Sequence, residues 1–168
     1  MEKKYELTDE TIKVGNKTLH RIRALKDFGN VKKGDLGGFI EHEGNLSHDG
    51  NCWVYDDAMV AMNAVVSENA KVSGKAMVDG NAKVSGDAKV YENAWVFGNA
   101  KIFDKARVFE NAKVFGKANV YHKAWLRGKA TIFGRTEVFG YSILSSNTII
   151  CDSDQVPRNT EASGNNTV

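Results

Sequence analysis

Aliphatic residues recur along this chain with a period of six. The aliphatic position falls at Val54 and at every sixth residue up to Ile150, which makes seventeen consecutive hexads without an insertion. Two residues before each aliphatic stands a small residue: Cys52, then alanine from Ala58 to Ala130, then Thr136, Ser142 and Thr148. Positions two apart on a strand face the same side. The pattern therefore predicts short strands whose small and aliphatic side chains both point inward.

A turn is expected after each of these strands. Glycine occupies many of the corner positions, among them Gly74, Gly80 and Gly98, usually beside Asn, Asp or Lys. Glycine suits a corner because it adopts backbone dihedrals that other residues avoid. Short strands with a corner every six residues predict a parallel β-helix in which three hexads close one coil of about 18 residues.

The hexads resemble the hexapeptide-repeat family. Its pattern is an aliphatic residue followed four positions later by a small one, as in Val96 to Ala100 and Val114 to Ala118. The resemblance covers residues 52–150 and implies a left-handed parallel β-helix; the family includes many trimeric acyltransferases. We therefore expect an all-β, single-stranded left-handed parallel β-helix of about five to six triangular coils. A right-handed helix of the bactofilin kind is the structural alternative, although its repeat is usually less strictly six.

The flanks of the repeat predict two further regions. The stretch KYELTDETIKVGNKTLHRIRAL alternates around Gly15-Asn16 and predicts a β-hairpin, so residues 1–48 are expected to cap the β-helix of residues 49–150. The next stretch, KKGDLGGFIEHEGNLSHDGNCWVYDDA, resembles the start of bacterial and phage β-helix proteins that carry only a provisional transferase label.

Two details of these flanks can be compared with the structure. Leu36, Phe39 and Leu46 are expected to plug the first coil. Residues 151–168 lose the apolar period, and we expect them to form a disordered tail.

Composition restricts the classes of function. The chain has 42% hydrophobic residues, as a globular protein does, and no apolar run of membrane-spanning length. Its start, MEKKYELTDE, lacks the apolar stretch of a secretion signal, so the expected compartment is the cytoplasm, that of the host if the protein is phage-encoded. The two cysteines show no metal-ligand spacing, and in a β-helix they would lie roughly 26 Å apart, too far for a disulfide. We predict no metal and no cofactor.

Aromatic residues form outward columns when the position after each aliphatic is sorted by coil. One column holds Phe97, Phe115 and Phe133, and a second holds Phe103, Tyr121 and Phe139. A third runs Tyr55, Ser73, Tyr91, Phe109, Arg127. Stacked rings stabilise neighbouring coils, but the first two columns are aromatic only in the second half of the repeat. Exposed apolar patches usually mark contacts, so these columns predict self-association, as a trimer.

Basic residues form outward columns as well. The net charge is only +2, yet residues 98–135 hold nine Lys and Arg against two acids. At the position before the aliphatic, Lys71, Lys89 and Arg107 share one column that leads to Trp125, and Lys83 and Lys101 share another. A solvated stripe is the simplest explanation. The alternative is an anionic partner, with cations interleaved among Tyr91, Phe109, Trp95 and Trp125 to hold phosphates while the rings stack on bases.

Catalytic candidates are few. His122 is the one histidine within the repeat, and Asp104, one coil earlier, is expected to stack beside it, where a carboxylate can orient an imidazole for general base catalysis. No loop interrupts the hexads to supply the active site that family acyltransferases use, so an ordinary surface pair is favoured. Glu92 and Glu110 also stack, and a solvated corner explains them better than an acid/base couple or a cation site.

Three functions remain open from the sequence. The favoured one is a non-catalytic scaffold that self-associates through its aromatic walls and binds a partner protein, such as a host factor of a phage, or an anionic ligand through its basic wall. The second is a hexapeptide-class acyltransferase with coenzyme A and His122 as the base. The third is a protein that sequesters a small anionic nucleotide. Nucleic acid is disfavoured because flat β-helix walls offer no groove, and a membrane partner is not expected.

Overall fold

The computed structural model describes residues 2–151, 155–156 and 158–164. Among these residues the only helical element is a 3-10 turn, Glu43–Asn45, and the rest of the regular structure is β. Most of the chain forms a parallel β-solenoid of about seven turns. No helix in the described part of the chain is long and apolar enough to cross a membrane.

Three longer strands precede the regular repeat: β1 (Tyr5–Val14), β2 (Lys17–Ala24) and β3 (Leu36–Ile40). Every later strand has two residues. Strands β4 to β22 are, in chain order, Trp53–Val54, Met59–Val60, Val65–Val66, Lys71–Val72, Met77–Val78, Lys83–Val84, Lys89–Val90, Trp95–Val96, Lys101–Ile102, Arg107–Val108, Lys113–Val114, Asn119–Val120, Trp125–Leu126, Thr131–Ile132, Glu137–Val138, Ile143–Leu144, Ile149–Ile150, Gln155–Val156 and Glu161–Ala162.

The short strands stack into three sheets that form the walls of the solenoid. The nine-stranded sheet has the order β1-β2-β3-β5-β8-β11-β14-β17-β20, the seven-stranded sheet β22-β19-β16-β13-β10-β7-β4, and the six-stranded sheet β21-β18-β15-β12-β9-β6. Each short strand pairs in parallel with the strand one coil away, as Lys89 does with Arg107 and Val90 with Val108. The partners are eighteen residues apart, as the hexad pattern predicts.

The core of the solenoid is made by the two inward positions of each hexad. Alanines such as Ala106 and aliphatics such as Val108 are completely buried in one continuous cluster. Near the C-terminal end Thr136, Ser142 and Thr148 take the small position and are also buried. Each of these hydroxyls donates to the carbonyl three residues earlier, at 2.7, 2.8 and 2.7 Å. A buried polar group costs little when it is bonded in this way, which is why the alanine column can end in Thr and Ser.

The N-terminal strands join the solenoid through β3. Strands β1 and β2 pair antiparallel on either side of Gly15-Asn16, and β3 pairs antiparallel with β2 and parallel with β5. Trp53 is buried there, with its ring edge-on to Tyr5 and Phe28 at centroid distances of 6.1 and 5.3 Å. Trp53 and Tyr5, which are among the largest fully buried side chains, thus meet where the N-terminal strands join the solenoid.

Of the three residues expected to plug the first coil, only Leu46 lies in the main core. Phe39 is buried in a separate cluster with Leu19 and Ala61, on the outer side of the wall. The prediction for Leu36 is wrong, because its side chain is 58% exposed. Trp53 fills the place that Leu36 was expected to take. Its position in the hexad points outward, but the N-terminal strands cover it.

Stacking continues beyond Ile150, in a region expected to be disordered. Val156 pairs with Val138 and is buried, and Ala162 pairs with Leu144. Val156 and Ala162 fall six and twelve residues after Ile150, so they prolong the aliphatic column. The solenoid is thus longer than the predicted five to six coils. The tail prediction for residues 152–154, 157 and 165–168 lies outside the described residues.

We expect Tyr5→Phe to lower the free energy of unfolding by about 1–3 kcal/mol at pH 7. The Tyr5 hydroxyl shares its one proton between the carbonyls of Leu46, at 2.7 Å, and Glu43, at 2.9 Å, and the substitution leaves the buried Leu46 carbonyl without this donor. Thermal unfolding measures the loss. Tyr141→Phe is the control, since that ring is 61% exposed and its loss of a hydroxyl should change stability little.

The Tyr5 variant should also lose part of the protein's alkaline sensitivity. Burial, then the charge of Glu43, raises the pKa of Tyr5 above its usual value of about 10. The unfolded chain therefore releases this proton at lower pH than the folded one, so the stabilisation is complete below pH 10 and falls as the pH rises above it. Parallel pH dependences of the wild type and Tyr5→Phe above pH 10 would contradict this assignment.

Candidate functional site

Three cations stack on the outer face of the seven-stranded sheet. Lys71 pairs in register with Lys89, and Lys89 with Arg107, so the three stand one strand apart on successive coils. We call these three residues the basic wall. The column continues to Trp125, whose ring lies 5.1 Å from the Arg107 guanidinium carbon. The sequence predicted this column correctly.

No carboxylate among the described residues forms an ion pair with the basic wall. All but one of the ion pairs among the described residues lie within the first 57 residues, as between Arg21 and Glu10 at 2.9 Å. Within the described part of the chain, the three cations of the basic wall therefore have no ion-pair partner. They can attract an anion without first breaking an internal pair.

A second column lies beside the basic wall on the same sheet. It contains Tyr55, Ser73, Tyr91, Phe109 and Arg127, in the order predicted. The Tyr91 and Phe109 rings stack with centroids 4.9 Å apart and planes 2° from parallel. Burial raises the pKa of Tyr91, while the nearby Arg107 charge acts in the opposite direction. An open cleft of about 410 Å³ lies between this column and the basic wall.

The other two sheets carry uninterrupted aromatic ladders. In the nine-strand ladder, Phe97, Phe115 and Phe133 stack at 4.7 and 4.9 Å between ring centroids. In the six-strand ladder, made of Phe103, Tyr121 and Phe139, the distances are 4.9 and 5.5 Å. All six rings are half-buried within the single chain. Each therefore keeps an outer face that another molecule can cover.

Trp95, one of the four rings that the sequence placed among cations, does not belong to the basic wall. It lies on the nine-stranded sheet, where its ring is 4.4 Å from that of Phe97 and 5.9 Å from the Lys113 ammonium. Its indole N–H donates to Asp79 at 3.4 Å. The physical reason is the hexad itself, because Trp95 comes six residues after Lys89 and so falls on the next wall.

His122 and Asp104 meet at one corner, as expected. The Asp104 carboxylate accepts the backbone N–H of His122 at 3.1 Å, and the imidazole Nε2 lies 4.0 Å from the same oxygen. The corner borders an open groove of about 690 Å³ that also includes Lys105, Lys123 and Tyr141. Tyr141 carries the one hydroxyl in this lining, and it accepts from Lys123 at 3.2 Å. The groove therefore resembles an anion-binding surface more than a site for nucleophilic transfer.

Glu92 and Glu110 have a structural role that the sequence analysis missed. The Glu92 carboxylate accepts the backbone N–H of Glu110 at 2.8 Å, and the Glu110 carboxylate accepts that of Gly128. Asp56 and Glu68 bond in the same way to the corners one coil on, at 2.9 and 2.7 Å. An acid at a corner thus holds the next coil. The paired glutamates are not an acid/base couple, because their carboxylates are committed to backbone donors.

A buried lysine is a further residue that sequence reasoning missed. The Lys4 ammonium donates to the Cys52 carbonyl at 2.9 Å and to the Gly50 carbonyl at 3.3 Å, and it lies 3.3 Å from the Cys52 sulfur. Burial lowers the pKa of Lys4 and raises that of the Cys52 thiol. Nothing in the hexad pattern signals this contact, since Lys4 precedes the repeat by almost fifty residues. Cys52 itself is buried in the core, as predicted.

Neither a metal centre nor a known family emerges from these residues. No group of three or more His, Cys, Asp or Glu side chains in the described part of the chain is placed to hold a metal ion. No protein-family model matches the sequence, and no curated protein matches it. The outer surfaces of the solenoid are therefore the features that indicate a function.

Proposed function

We propose that this protein is a non-catalytic β-solenoid scaffold that self-associates through its aromatic ladders and binds an anionic ligand, or an anionic surface of a partner protein, through the basic wall. The observation that carries the proposal is the basic wall itself, three stacked cations that form no ion pair with any carboxylate of the described residues. Neighbouring strands are about 4.8 Å apart, and like charges at that distance repel by roughly 1 kcal/mol per pair in water. A bound anion offsets this repulsion because it attracts all three cations.

Charge reversal tests the basic wall. Lys89→Glu combined with Arg107→Glu is expected to weaken the binding of inorganic tripolyphosphate, measured by calorimetry, by at least tenfold, and lower salt should strengthen wild-type binding. Both side chains point away from the core, so thermal stability should change little. Lys83→Glu with Lys101→Glu is the matched control, because these two lysines stack in the same way on the six-stranded sheet. Equal loss in both double variants, or none in either, would contradict the proposal.

Self-association is proposed to use the two aromatic ladders, with a trimer as the expected assembly. A self-complementary apolar patch is most commonly covered by a symmetric copy of the same chain. Phe115 lies at the centre of the nine-strand ladder, between Phe97 and Phe133.

Phe115→Glu should therefore yield a folded protein of lower mass by light scattering than the wild type. Tyr141→Glu is the control, since Tyr141 is exposed but belongs to neither ladder. If the wild type is already monomeric at high micromolar concentration, the self-association part of the proposal is wrong.

The finer features of the fold are part of the same proposal. We infer that the coils are left-handed and that the chain is a hexapeptide-repeat protein, on the strength of its uninterrupted spacing of six and its Val-x-x-x-Ala steps. We also propose that β1 and β2 act as a cap, because an open stack of strands needs its terminal edge covered. We also keep the cytoplasmic location expected from the sequence as a proposal. A phage origin, with a host protein as the partner, rests on the resemblance of the N-terminal segment alone.

The acyltransferase is the second candidate function, and the groove at His122 is the observation in its favour. The groove is large enough for part of a coenzyme A, and Lys105 and Lys123 supply positive charge beside it. Acetyl transfer from acetyl-coenzyme A to an amine or hydroxyl acceptor that is abolished by His122→Ala would favour this function over the scaffold.

A further inference from the structure

One aromatic ladder of the solenoid has a missing ring. On the seven-stranded sheet Tyr55, Ser73 and Tyr91 stand on successive coils, as the hydrogen bonds from the Tyr55 N–H to the Val72 carbonyl and from the Ser73 N–H to the Val90 carbonyl show. Serine therefore replaces the ring that would lie between the two tyrosines. We call this gap, bounded by Tyr55, Ser73 and Tyr91, the notch.

The notch differs from the other places where the columns lose their rings. In the nine-strand and six-strand ladders each ring contacts the next one along the chain, so neither ladder has an internal gap. The serines of the six-stranded sheet, Ser67 and Ser85, come before the first ring, Phe103. Only at Ser73, among the described columns, does an aromatic residue stand on both sides of a small one.

The dimensions of the notch suit one planar ring. Tyr55 and Tyr91 are two strand spacings apart, which is about 9.6 Å. A ring inserted midway would lie about 4.8 Å from each tyrosine, close to the 4.7 to 4.9 Å that the protein uses between its own stacked phenylalanines. The cleft that contains the notch has a volume of about 410 Å³, within the usual range of small-ligand sites of about 300–1,000 Å³.

The charge beside the notch specifies the second part of the ligand. The basic wall lines the same cleft, and the one carboxylate in that lining is Asp56, which accepts the backbone N–H of Gly74 at 2.9 Å. The column of Ser73 and that of Lys71 are two residues apart along a strand, or about 6.6 Å. A ligand that fills the cleft therefore has a flat ring at one end, a spacer, and several negative charges at the other.

We propose that the notch binds the base of a nucleoside phosphate between Tyr55 and Tyr91, while the basic wall holds its phosphates. The proposal rests on the proposed function, since it names the ligand class for the same anion-binding surface. Stacking accepts any base with a planar face, and cationic side chains provide the phosphate contacts. Inorganic phosphates satisfy only the second half of the site and nucleosides only the first, so neither should bind as well as the whole ligand.

Filling the notch tests the proposal. Calorimetric titrations use ATP, adenosine and inorganic tripolyphosphate as probes of the full-length protein. Ser73→Tyr completes the ladder, and we expect it to weaken ATP binding about tenfold or more while leaving tripolyphosphate binding unchanged. Ser85→Tyr is the matched control, because it adds the same ring at the same hexad position on another sheet and should leave ATP binding unchanged. Far-ultraviolet circular dichroism confirms that both variants are folded.

The outcomes separate this inference from the proposed function. If wild-type protein binds ATP no more tightly than tripolyphosphate, or if Ser73→Tyr leaves ATP affinity intact, the notch is not a base site, although the anion-binding wall stands. If neither ATP nor tripolyphosphate binds, both proposals are wrong. A single-stranded decanucleotide distinguishes a free nucleotide from one within a strand: we expect it to bind more weakly than ATP, and tighter binding would overturn the assignment to a free nucleotide.

Discussion

Trp53→Ala is expected to lower the free energy of unfolding by about 3–5 kcal/mol, the usual cost of removing a large buried aromatic. Trp53 is only 1% exposed and contacts the rings of Tyr5 and Phe28, so its loss leaves a cavity where the N-terminal strands meet the first coil. The Gly37 backbone packs directly against the ring, since a Cβ there would lie 2.8 Å from the Trp53 ring. Thermal or urea unfolding measures the loss.

The repeat supplies a matched control for this experiment. Trp125 occupies the same hexad position on the same sheet, four coils further on, but its side chain is 37% exposed. Trp125→Ala should therefore cost less than about 1 kcal/mol. Similar losses in the two variants would show that burial by the N-terminal strands does not distinguish the two tryptophans, which would contradict the account of the first coil.

Gly98→Val is the second substitution with a large expected effect, a loss of about 2–4 kcal/mol. Gly98 has a φ of +66°, in the left-handed region that is strained for a β-branched residue by about 1–3 kcal/mol. A Cβ at Gly98 would also lie 2.9 Å from the backbone nitrogen of Gly116 on the next coil. The backbone strain and the close contact with Gly116 add, because the corner cannot shift to relieve the contact without displacing the next coil.

Gly98→Asn is the comparison that isolates the backbone strain, because asparagine brings the same Cβ towards Gly116 as valine does. Asparagine tolerates the left-handed region, and its side-chain oxygen can accept the Gly116 N–H, as the Asp104 carboxylate accepts that of His122. We expect a loss of about 1 kcal/mol or less, measured by urea unfolding beside Gly98→Val. If asparagine destabilises the protein as much as valine does, a side-chain oxygen at a corner does not stabilise the next coil by accepting its backbone N–H.

The sequence predicted the features that repeat and missed those that occur once. Every inward position must be small or aliphatic, so a single period of six specified the sheets, the register between Lys89 and Arg107 and the aromatic ladders. The same period also predicts an aliphatic residue at Val156, but the polar residues around it favoured the interpretation of a disordered tail. The same step of six places Trp95 one wall away from Lys89 and next to Lys113.

The contacts that the sequence could not specify involve parts of the chain with no common period. Lys4 reaches the Cys52 carbonyl because the N-terminal strands fold back over the first coil, and no hexad records that approach. The bonds of Glu92 and Glu110 to backbone N–H groups depend on how a corner residue with positive φ directs its side chain, and the spacing alone does not specify this direction. The notch at Ser73 became visible only when the sheets showed which rings stack.

Native mass spectrometry of the protein purified directly from cells, without added ligand, tests the central claim most directly. The account predicts a mass that is a multiple of the 18.5 kDa chain, expected to be three, together with a retained low-mass anion that disappears in the Lys89→Glu, Arg107→Glu double variant. A spectrum that contains only the 18.5 kDa monomer at high micromolar concentration, with no bound anion, would contradict both the self-association and the anion binding proposed for this protein.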